Sequence, residues 1–436
     1  KRDAKVNEKI QILKAKLQGA RNDWRRPLER QIDQDMYSWI AQRSPRSVKV
    51  VVDMDMFYMA CELLSRPDIT DDTPACVGGP GMITTSNYAA RRFGVRSAMP
   101  GYIGAALVHE LSKGRQKLIF CPINFDLYRE KSLQVRQVLA KFDPNLSAYS
   151  LDEAYLDLSQ YMVLQLTQPD MTHEQIASVL CKQGEETDVG TKEQATKIRD
   201  VVVPDLSPEE CLGQLLAFTP AECLARADAI VQNMRHRVKI ATGGLTCSAG
   251  LSPNFLIAKI ASDRNKPNGQ LIVASDHESV INFLYPLPIR KVSGIGRVTE
   301  KTLNAFGIAT VKQLYQERAL VAFLFEKTSS TATFLLRASV GCSSSDGKVS
   351  EDDGDEESSS NHHQKGISRE RSFRSGKSWA EVNSKLEDIA ALLSSDMKNK
   401  NLQAHTVTVK VTLHTFDTLS KGRSLPAGTY VESTAD

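Results

Sequence analysis

Two short segments carry carboxylates where a buried strand would normally carry apolar side chains: Val-Val-Val-Asp-Met-Asp-Met-Phe-Tyr (50–58) and Tyr-Ser-Leu-Asp-Glu-Ala-Tyr-Leu-Asp-Leu (149–158). Both read as β-strands. Crowded carboxylates repel one another, and each resists desolvation. Divalent cations relieve both penalties, and an all-oxygen ligand set suits Mg²⁺. A two-ion site lowers the pKa of an attacking hydroxyl and clamps a transferring phosphate, so the implied chemistry is phosphoryl transfer. It needs two or three carboxylates converging from different strands. Alternation puts Asp53 and Asp55 on one face of the first strand, opposite Val48, Val50, Val52 and Met54. Asp152 and Glu153 are adjacent, so on a straight strand they point apart; to reach the same ions they must sit at a hairpin tip or bend. Strand-end caps or surface acids are the alternative for either string taken alone.

The gross numbers frame this reading. With 436 residues the chain suggests roughly three domains. Its 41% hydrophobic and 25% charged content describe a soluble globular protein. A net charge of +3 is too small to diagnose nucleic-acid binding by itself. Eight cysteines without a Cys-x-x-Cys pair or His/Cys ligand spacing indicate neither a zinc site nor a disulfide framework. Reduced thiols fit the cytosol or nucleus. No apolar run reaches the roughly 20 residues of a membrane span, and no signal peptide precedes the charged start. A chain opening at Lys1 is expected to be a piece of something longer.

Several elements are needed to position the acids. Val6, Ile10, Leu13 and Leu17, then Leu28, Ile32, Met36 and Trp39 beyond Pro27, predict two amphipathic helices, which taken alone read as a hairpin packed on its own domain. Residues 56–124 mix helical stretches with Gly/Pro turns. A helix follows 125, and residues 163–219 read as a polar insertion without a clear period. Thr219-Pro220-Ala221-Glu222 offers a capping box with proline in the first turn. A strand at Thr246–Leu251 leads through Ser252-Pro253 into a helix at Asn254–Ser262. Residues 277–341 read as a small helical unit. Ser343–Gln364 is low-complexity and reads as a linker. His362 and His363 fall within it as a weak metal-binding candidate. Beyond it come a strand (Ile367–Arg374), a helix (about Trp379–Lys398) and a strand (Thr406–Leu413), the last presenting Val407, Val409, Val411 and Leu413 on one face.

Three further groups suit phosphates. Tyr88 and Arg91 are three apart and share a helical face; a phenol and a guanidinium fork together suit a triphosphate, with a solvated basic face (Arg91, Arg92, Arg96) as the alternative. Gly294 and Gly296 form a Gly-x-Gly turn whose backbone N–H groups can grip a phosphate without reading bases, or else simply make a tight turn. The Thr/Lys face of 406–412, with Arg369 and Arg371, suits a nucleic-acid backbone, or plain solvent.

Six ordered segments carry a resemblance. They are 52–58, Ser-Asn-Tyr-Ala-Ala-Arg-Arg-Phe-Gly-Val-Arg-Ser-Ala-Met-Pro-Gly (86–101), Ser-Leu-Asp-Glu-Ala-Tyr-Leu (150–156), Ser-Ala-Gly-Leu-Ser-Pro-Asn-Phe-Leu-Ile-Ala-Lys (248–259), Ser-Asp-Arg-Asn-Lys-Pro-Asn-Gly-Gln (262–270) and Leu-Pro-Ile-Arg-Lys-Val-Ser-Gly-Ile-Gly (287–296). Together they resemble the Y-family translesion DNA polymerases, mostly over 48–160 and 240–341. The resemblance implies an α+β multidomain, right-hand polymerase fold. Its parts would be an N-terminal helical clasp (1–47), a palm (48–56 and 125–276, with the insertion 163–219) and fingers (57–124). A helical thumb with a helix-hairpin-helix (277–341), a linker (342–364) and an incomplete little finger (365–436) would follow.

It also implies roles. Asp53, Asp152 and Glu153, with the Met54 carbonyl, would hold two Mg²⁺ ions, for which Mn²⁺ can substitute. Asp55 would be a supporting neighbour. Tyr58 would be the steric gate against a ribose 2′-OH, with Phe57 beside it in the nucleotide pocket. Tyr88, Arg91 and Lys266 would contact the triphosphate. Gly81 and Met82 would lie over the nascent base pair, and Gly294, Gly296, Arg369 and Arg371 would contact DNA. The implied partners are primer-template DNA and deoxynucleoside triphosphates; a replication clamp or other translesion partners would bind through segments not encoded here. The implied location is the nucleus. The implied reaction adds dNMP to a primer 3′-OH past damaged bases without proofreading. A restricted nucleotidyl transferase of the same family, or an inactive DNA-binding scaffold, stays open as an alternative.

Overall fold

The computed structural model describes residues 2–20, 24–43, 47–182, 208–343, 366–373, 378–426 and 429–431. The chain divides into two units, Lys1–Ser350 and Glu351–Asp436. Nine strands run through the described residues: β1 (Lys49–Met54), β2 (Ala75–Gly78), β3 (Ile83–Ser86), β4 (Ile119–Cys121), β5 (Glu153–Asp157), β6 (Cys247–Ser252), β7 (Gln270–Ile272), β8 (Thr406–Thr412) and β9 (Thr418–Ser424).

The first unit is built around a four-stranded sheet of order β5-β1-β6-β7. β1 is antiparallel to both neighbours, and β7 runs parallel to β6. Val48, Val50, Val52 and Met54 face one way, as their alternation predicts, into a core shared with Tyr128, Val135 and Leu139 of the helix Phe125–Leu139 and with Ile230, Val231 and Met234 of the helix Pro220–Ala241. The predicted capping box starts the latter helix: Thr219 Oγ1 accepts from Glu222 N–H (3.2 Å), and Glu222 accepts from Thr219 N–H (2.8 Å).

The other sheet face carries the helix Phe255–Ser262, started by Asn254, whose side chain accepts from Ile257 N–H (3.0 Å). This helix lies directly against β6. A Cβ at Gly250 would stand 2.0 Å from the Ala258 carbonyl oxygen and 2.5 Å from the Ser262 nitrogen.

A second sheet, β3-β2-β4, has its own small core of Cys76, Ile83, Ala90, Val95, Val108 and Leu118. Helical stretches and turns alone were expected here. Strands of three and four residues are too short for alternation to register against the surrounding helices. The 163–219 segment also departs from expectation. Helices His173–Lys182 and Pro208–Leu215 send Ile176, Leu180, Cys211 and Leu215 into the main core, so part of it is structural rather than inserted.

The helices Arg2–Gln18 and Arg25–Ala41 do not form a self-contained hairpin domain. Leu13, Ile32 and Met36 are buried in the core of the helical unit formed by 277–341, beside Val321, Leu335 and Leu336, and the Trp24 ring lies 4.6 Å from that of Phe323. Their acidic side chains complete the contact: Asp33 accepts two bonds from Arg318 (2.6 and 2.9 Å), and Asp35 pairs with Lys327 (2.9 Å). An apolar stripe fixes that such a helix is buried but not against what.

In the second unit, β8 and β9 form an antiparallel hairpin, and the helix Trp379–Asn399 matches expectation. The expected strand at 367–374 is absent: residues 366–373 join no ladder among the described residues, and Arg374 lies outside them. Arg369 is instead bound by both carboxylate oxygens of Asp396 on the helix. The linker, with His362 and His363, lies outside the described residues.

Gly250→Ala should destabilise the first unit by about 3 kcal/mol, because two backbones leave no room for a methyl group. A denaturant titration followed by tryptophan fluorescence reads this. A shift under about 0.5 kcal/mol, the range of an ordinary surface change, would contradict the packing described.

Candidate active site

The carboxylates meet as the strands dictate. Asp53 and Glu153 are direct partners in the β1–β5 register, so both side chains emerge on the face covered by the helix Phe255–Ser262. Asp152 immediately precedes β5, in the bend formed by residues 149–152. Its carbonyl oxygen accepts from Met54 N–H (2.8 Å), which fixes the bend against the end of β1. The segment before β5 is thus a bend, not a continuation of the straight strand.

Two lysines enter this acidic face. Lys259 Nζ lies 2.6 Å from Asp53 Oδ2 and also bonds Glu153 Oε2; Lys266 bonds Asp53 Oδ1 and lies 3.1 Å from Asp263. Burial would depress both ammonium groups, but Asp53 in each case, with Glu153 at Lys259, outweighs it, and both pKa values rise. Tyr155, one residue beyond Ala154 on β5, donates its hydroxyl to Glu153, and burial followed by that bond pushes its pKa up. Asp152 accepts from Ser150 Oγ at 2.6 Å. Among the described residues no three acidic, His or Cys side chains converge into a metal-binding cluster. Lys259 brings Asp53 and Glu153 together, whereas Asp152 lies beside them on the backbone with its carboxylate bonded to Ser150.

Asp55 lies under this layer, 2% exposed. It accepts from Thr246 Oγ1 and Ser248 Oγ (2.8 Å each) and from Asn268 N–H (2.7 Å). It braces the strands instead of joining the Asp53–Glu153 pair.

The aromatic and basic candidates sit around the acids. Tyr58 stacks on Tyr128 (centroids 4.5 Å), touches Phe125 edge-on and lies 5.7 Å from Phe57; burial, then the charge of Asp152, raises its pKa. Phe57 itself is buried. Tyr88 and Arg91 belong to the short helix Tyr88–Arg92. Its cap, Asn87, also accepts from Ala75 N–H (3.1 Å), tying the helix to β2. The Arg91 guanidinium lies 4.9 Å from the Tyr88 ring centroid, and its Nε donates to the Ser86 carbonyl (3.0 Å). The Tyr88 hydroxyl is buried with no hydrogen-bond partner among the described residues. Its pKa is pushed up to about 12 by burial and then by Asp55, against Arg91 and Lys266. This hydroxyl, within the electrostatic reach of Lys266, keeps a hydrogen-bonding capacity that no described residue meets.

Gly81 and Met82 form the β2–β3 turn. A Cβ at Gly81 would meet nothing within 4 Å, and Met82 is 55% exposed. At Gly294 φ is +98°, and a Cβ would stand 2.6 Å from Phe334, so glycine is required there. Gly296 caps the helix Arg297–Asn304 without a side-chain bond, so the helix's first N–H groups have no capping side chain. The element before this turn is a single 3₁₀ turn, Ile289–Lys291. Arg369 is committed to Asp396, and Arg371 donates to the neighbouring Glu370 carbonyl.

Sequence reasoning missed Lys259, Tyr155 and Ser150. Lys259 did leave a signal, as the one charge in the otherwise apolar helix Phe-Leu-Ile-Ala-Lys-Ile-Ala-Ser.

A sequence profile of the impB/mucB/samB family matches residues 52–263; its HHH motif matches 277–308 and its C-terminal domain 364–436. The DNA polymerase kappa of Caenorhabditis elegans is 31% identical over 438 residues, covering 100% of this chain and 69% of that protein. The chain belongs to the Y family of DNA polymerases. The DNA polymerase kappa of Mus musculus is 34% identical over 448 residues, 98% of this chain and 50% of the relative. A DNA polymerase IV of Legionella pneumophila (strain Paris) is 32% identical over 280 residues, 63% of this chain and 59% of the relative. The chain thus spans about half the length of the mouse and human kappa relatives. In this Y-family chain the first matched segment contains Asp53, Asp152, Glu153, Tyr58, Tyr88, Arg91 and Lys259.

Lys259→Met should destabilise the chain by about 3 kcal/mol, because two half-buried carboxylates then face each other with one cation fewer. Adding Glu153→Gln should recover part of that loss. Because the Lys259 pKa is raised above its ordinary 10.5, the contribution is complete below that pH and lost as pH rises through the folded value. Denaturant titrations of the single and double variants at pH 7 check the coupling; equal stability of Lys259→Met and the unsubstituted chain contradicts it.

Proposed function

We propose that this chain is a template-directed DNA polymerase of the translesion type, adding dNMP to a primer 3′-OH past damaged template bases. The observation that carries the proposal is the register pairing of Asp53 with Glu153 on a face that also gathers Lys266 and the unpartnered Tyr88 hydroxyl. Kinship with the Y family supports it. On this reading the sheet β5-β1-β6-β7 is the palm (48–56 and 125–276), and 57–124 are the fingers. Residues 277–341 are the thumb, 365–436 belong to the little finger, and 1–47 are the clasp, which braces the thumb. The protein acts in the nucleus.

The donor set suits hard divalent cations: Asp53, Asp152, Glu153 and the Met54 carbonyl offer only oxygen, and two ammonium groups already answer the charge of Asp53 and Glu153. Asp152 gives up one hydroxyl hydrogen bond on joining its neighbours. Asp53, Asp152, Glu153 and the Met54 carbonyl would hold two Mg²⁺ ions, or Mn²⁺ in their place, which would supply charge neutralisation and a lowered pKa for the primer hydroxyl. Lys266, Arg91 and the Tyr88 hydroxyl bind the triphosphate oxygens, and positioning does most of the catalytic work. Tyr58, held by Tyr128 with Phe57 alongside, blocks the space of a 2′-OH. The open turn at Gly81 and Met82 faces the nascent base pair. Gly294 and Gly296 present N–H groups to a DNA phosphate. Arg371 contacts the duplex, and Arg369 does so from within its pair with Asp396.

Asp152→Ala combined with Glu153→Ala should cut primer extension at least about a thousandfold while leaving primer-template binding within about twofold. Extension of a labelled primer with each dNTP singly, beside a DNA-binding titration, reads both. Retained synthesis removes the metal assignment, and absent synthesis by the unsubstituted chain removes the polymerase reading. Tyr58→Ala should raise ribonucleotide incorporation about tenfold or more; unchanged sugar selectivity takes the gate role from Tyr58.

A further inference from the structure

Lys266 stands on the loop that joins the helix Phe255–Ser262 to β7. A lysine on a loop loses considerable side-chain entropy when held in one place, so a defined ammonium position needs a rigid base. Here the base is Asn268, gripped from two directions. Its backbone lies in the left-handed region (φ +50°), which asparagine tolerates. Its N–H donates to Asp55 Oδ2 at 2.7 Å, and Asp55 is itself fixed by the Thr246 and Ser248 hydroxyls. From the other side its Oδ1 accepts from Arg235 at 2.7 Å.

Arg235 uses its whole fork. Nε donates to the Cys247 carbonyl (3.0 Å) and the remaining nitrogen to Gln270 Oε1 (2.8 Å). Gln270 Nε2 in turn donates to the Asp228 carbonyl at 2.9 Å and to its carboxylate. Asp228 and Arg235 are seven residues apart on the helix Pro220–Ala241, hence on one face, while Ile230, Val231 and Met234 of the same helix enter the core. The loop is also closed on itself: a Cβ at Gly269 would stand 1.9 Å from the Asn265 carbonyl oxygen.

We propose that Arg235 and Asp55 clamp Asn268 between them and thereby position Lys266 for the triphosphate of an incoming nucleotide, a proposal that rests on the polymerase reading above. Neither clamp residue touches the nucleotide; each acts through Lys266. Their removal is felt as a looser ammonium.

The test uses the full chain with primer-template DNA, Mg²⁺ and a non-hydrolysable dNTP analogue, whose affinity is measured for the unsubstituted chain and for Arg235→Met, Asn268→Gly, Lys266→Ala and the Arg235→Met/Lys266→Ala pair. Asn268→Gly still permits the left-handed backbone and removes the side-chain amide that Arg235 grips. Arg235→Met and Asn268→Gly should each weaken nucleotide affinity about tenfold, with turnover at saturating dNTP within about threefold. Arg235→Met should add nothing once Lys266 is gone, the signature of a residue that acts through another. Arg235→Lys keeps the charge but not the fork and should rescue only partly. Hydrogen exchange of the 263–270 amides, measured without nucleotide, should quicken in Arg235→Met. Additive losses in the pair, or unchanged exchange, overturn the clamp. Quickened exchange in a chain that binds no nucleotide leaves the loop restraint standing and overturns the polymerase reading and the nucleotide role of Lys266 together.

Discussion

Two carboxylates placed opposite each other on paired strands are a standing electrostatic problem. Two unit charges 4 Å apart repel by about 4 kcal/mol at an effective dielectric of 20, a large share of the stability of any domain. The Asp53–Glu153 pairing is imposed by the β1–β5 register, so the repulsion cannot be relaxed by a local shift without moving every side chain of β5 to the wrong face. The fold answers it with Lys259, delivered by the helix that lies on the sheet, and with Lys266, delivered by the loop that follows that helix. This explains why the helix Phe255–Ser262 must lie so near to β6. A side chain at Gly250 would lift Lys259 away from the acids it neutralises.

The same economy governs the long helix Pro220–Ala241. Its apolar face closes the core behind the sheet, while its polar edge reaches round to the turn that carries Lys266. The site is therefore supported from both faces of one sheet. Strand register places the acids, the near helix places one cation, and the far helix steadies the other. None of these supports is itself a chemical group of the reaction.

Much of this was legible in the amino-acid sequence, and what was not has definite causes. Alternation read β1 correctly because it is long enough for a period of two to show, and adjacency of Asp152 and Glu153 demanded the bend that residues 149–152 supply. The Thr219 capping box was visible because caps are local, whereas Asn254, read as the first residue of its helix, is in fact the cap. The three-stranded sheet of β2, β3 and β4 was hidden by the brevity of its strands. The docking of the first two helices was hidden because a stripe does not name its partner. Asp55 and Asp53 looked equivalent by alternation. The resemblance alone ranked Asp55 as a supporting neighbour, and the structure gives the physical reason: Asp55 is a brace hydrogen-bonded by two hydroxyls and an N–H, while Asp53 faces two ammonium groups. Lys259 was passed over because a single cation in an apolar helix announces a buried anion without saying which one.

The turn at Gly81 differs from the other tight glycines of this chain. Gly250, Gly269 and Gly294 are held to that residue type by backbone or ring atoms within 3 Å of a Cβ, whereas Gly81 borders open space and has no backbone strain. Its neighbour Gly78 and the buried Ile83 carry the hairpin's structural demands. The shape of the roof over this part of the molecule is thus decoupled from the stability of the walls. Within a lineage that surface is free to broaden or narrow one residue at a time, and the fold places no veto on the outcome.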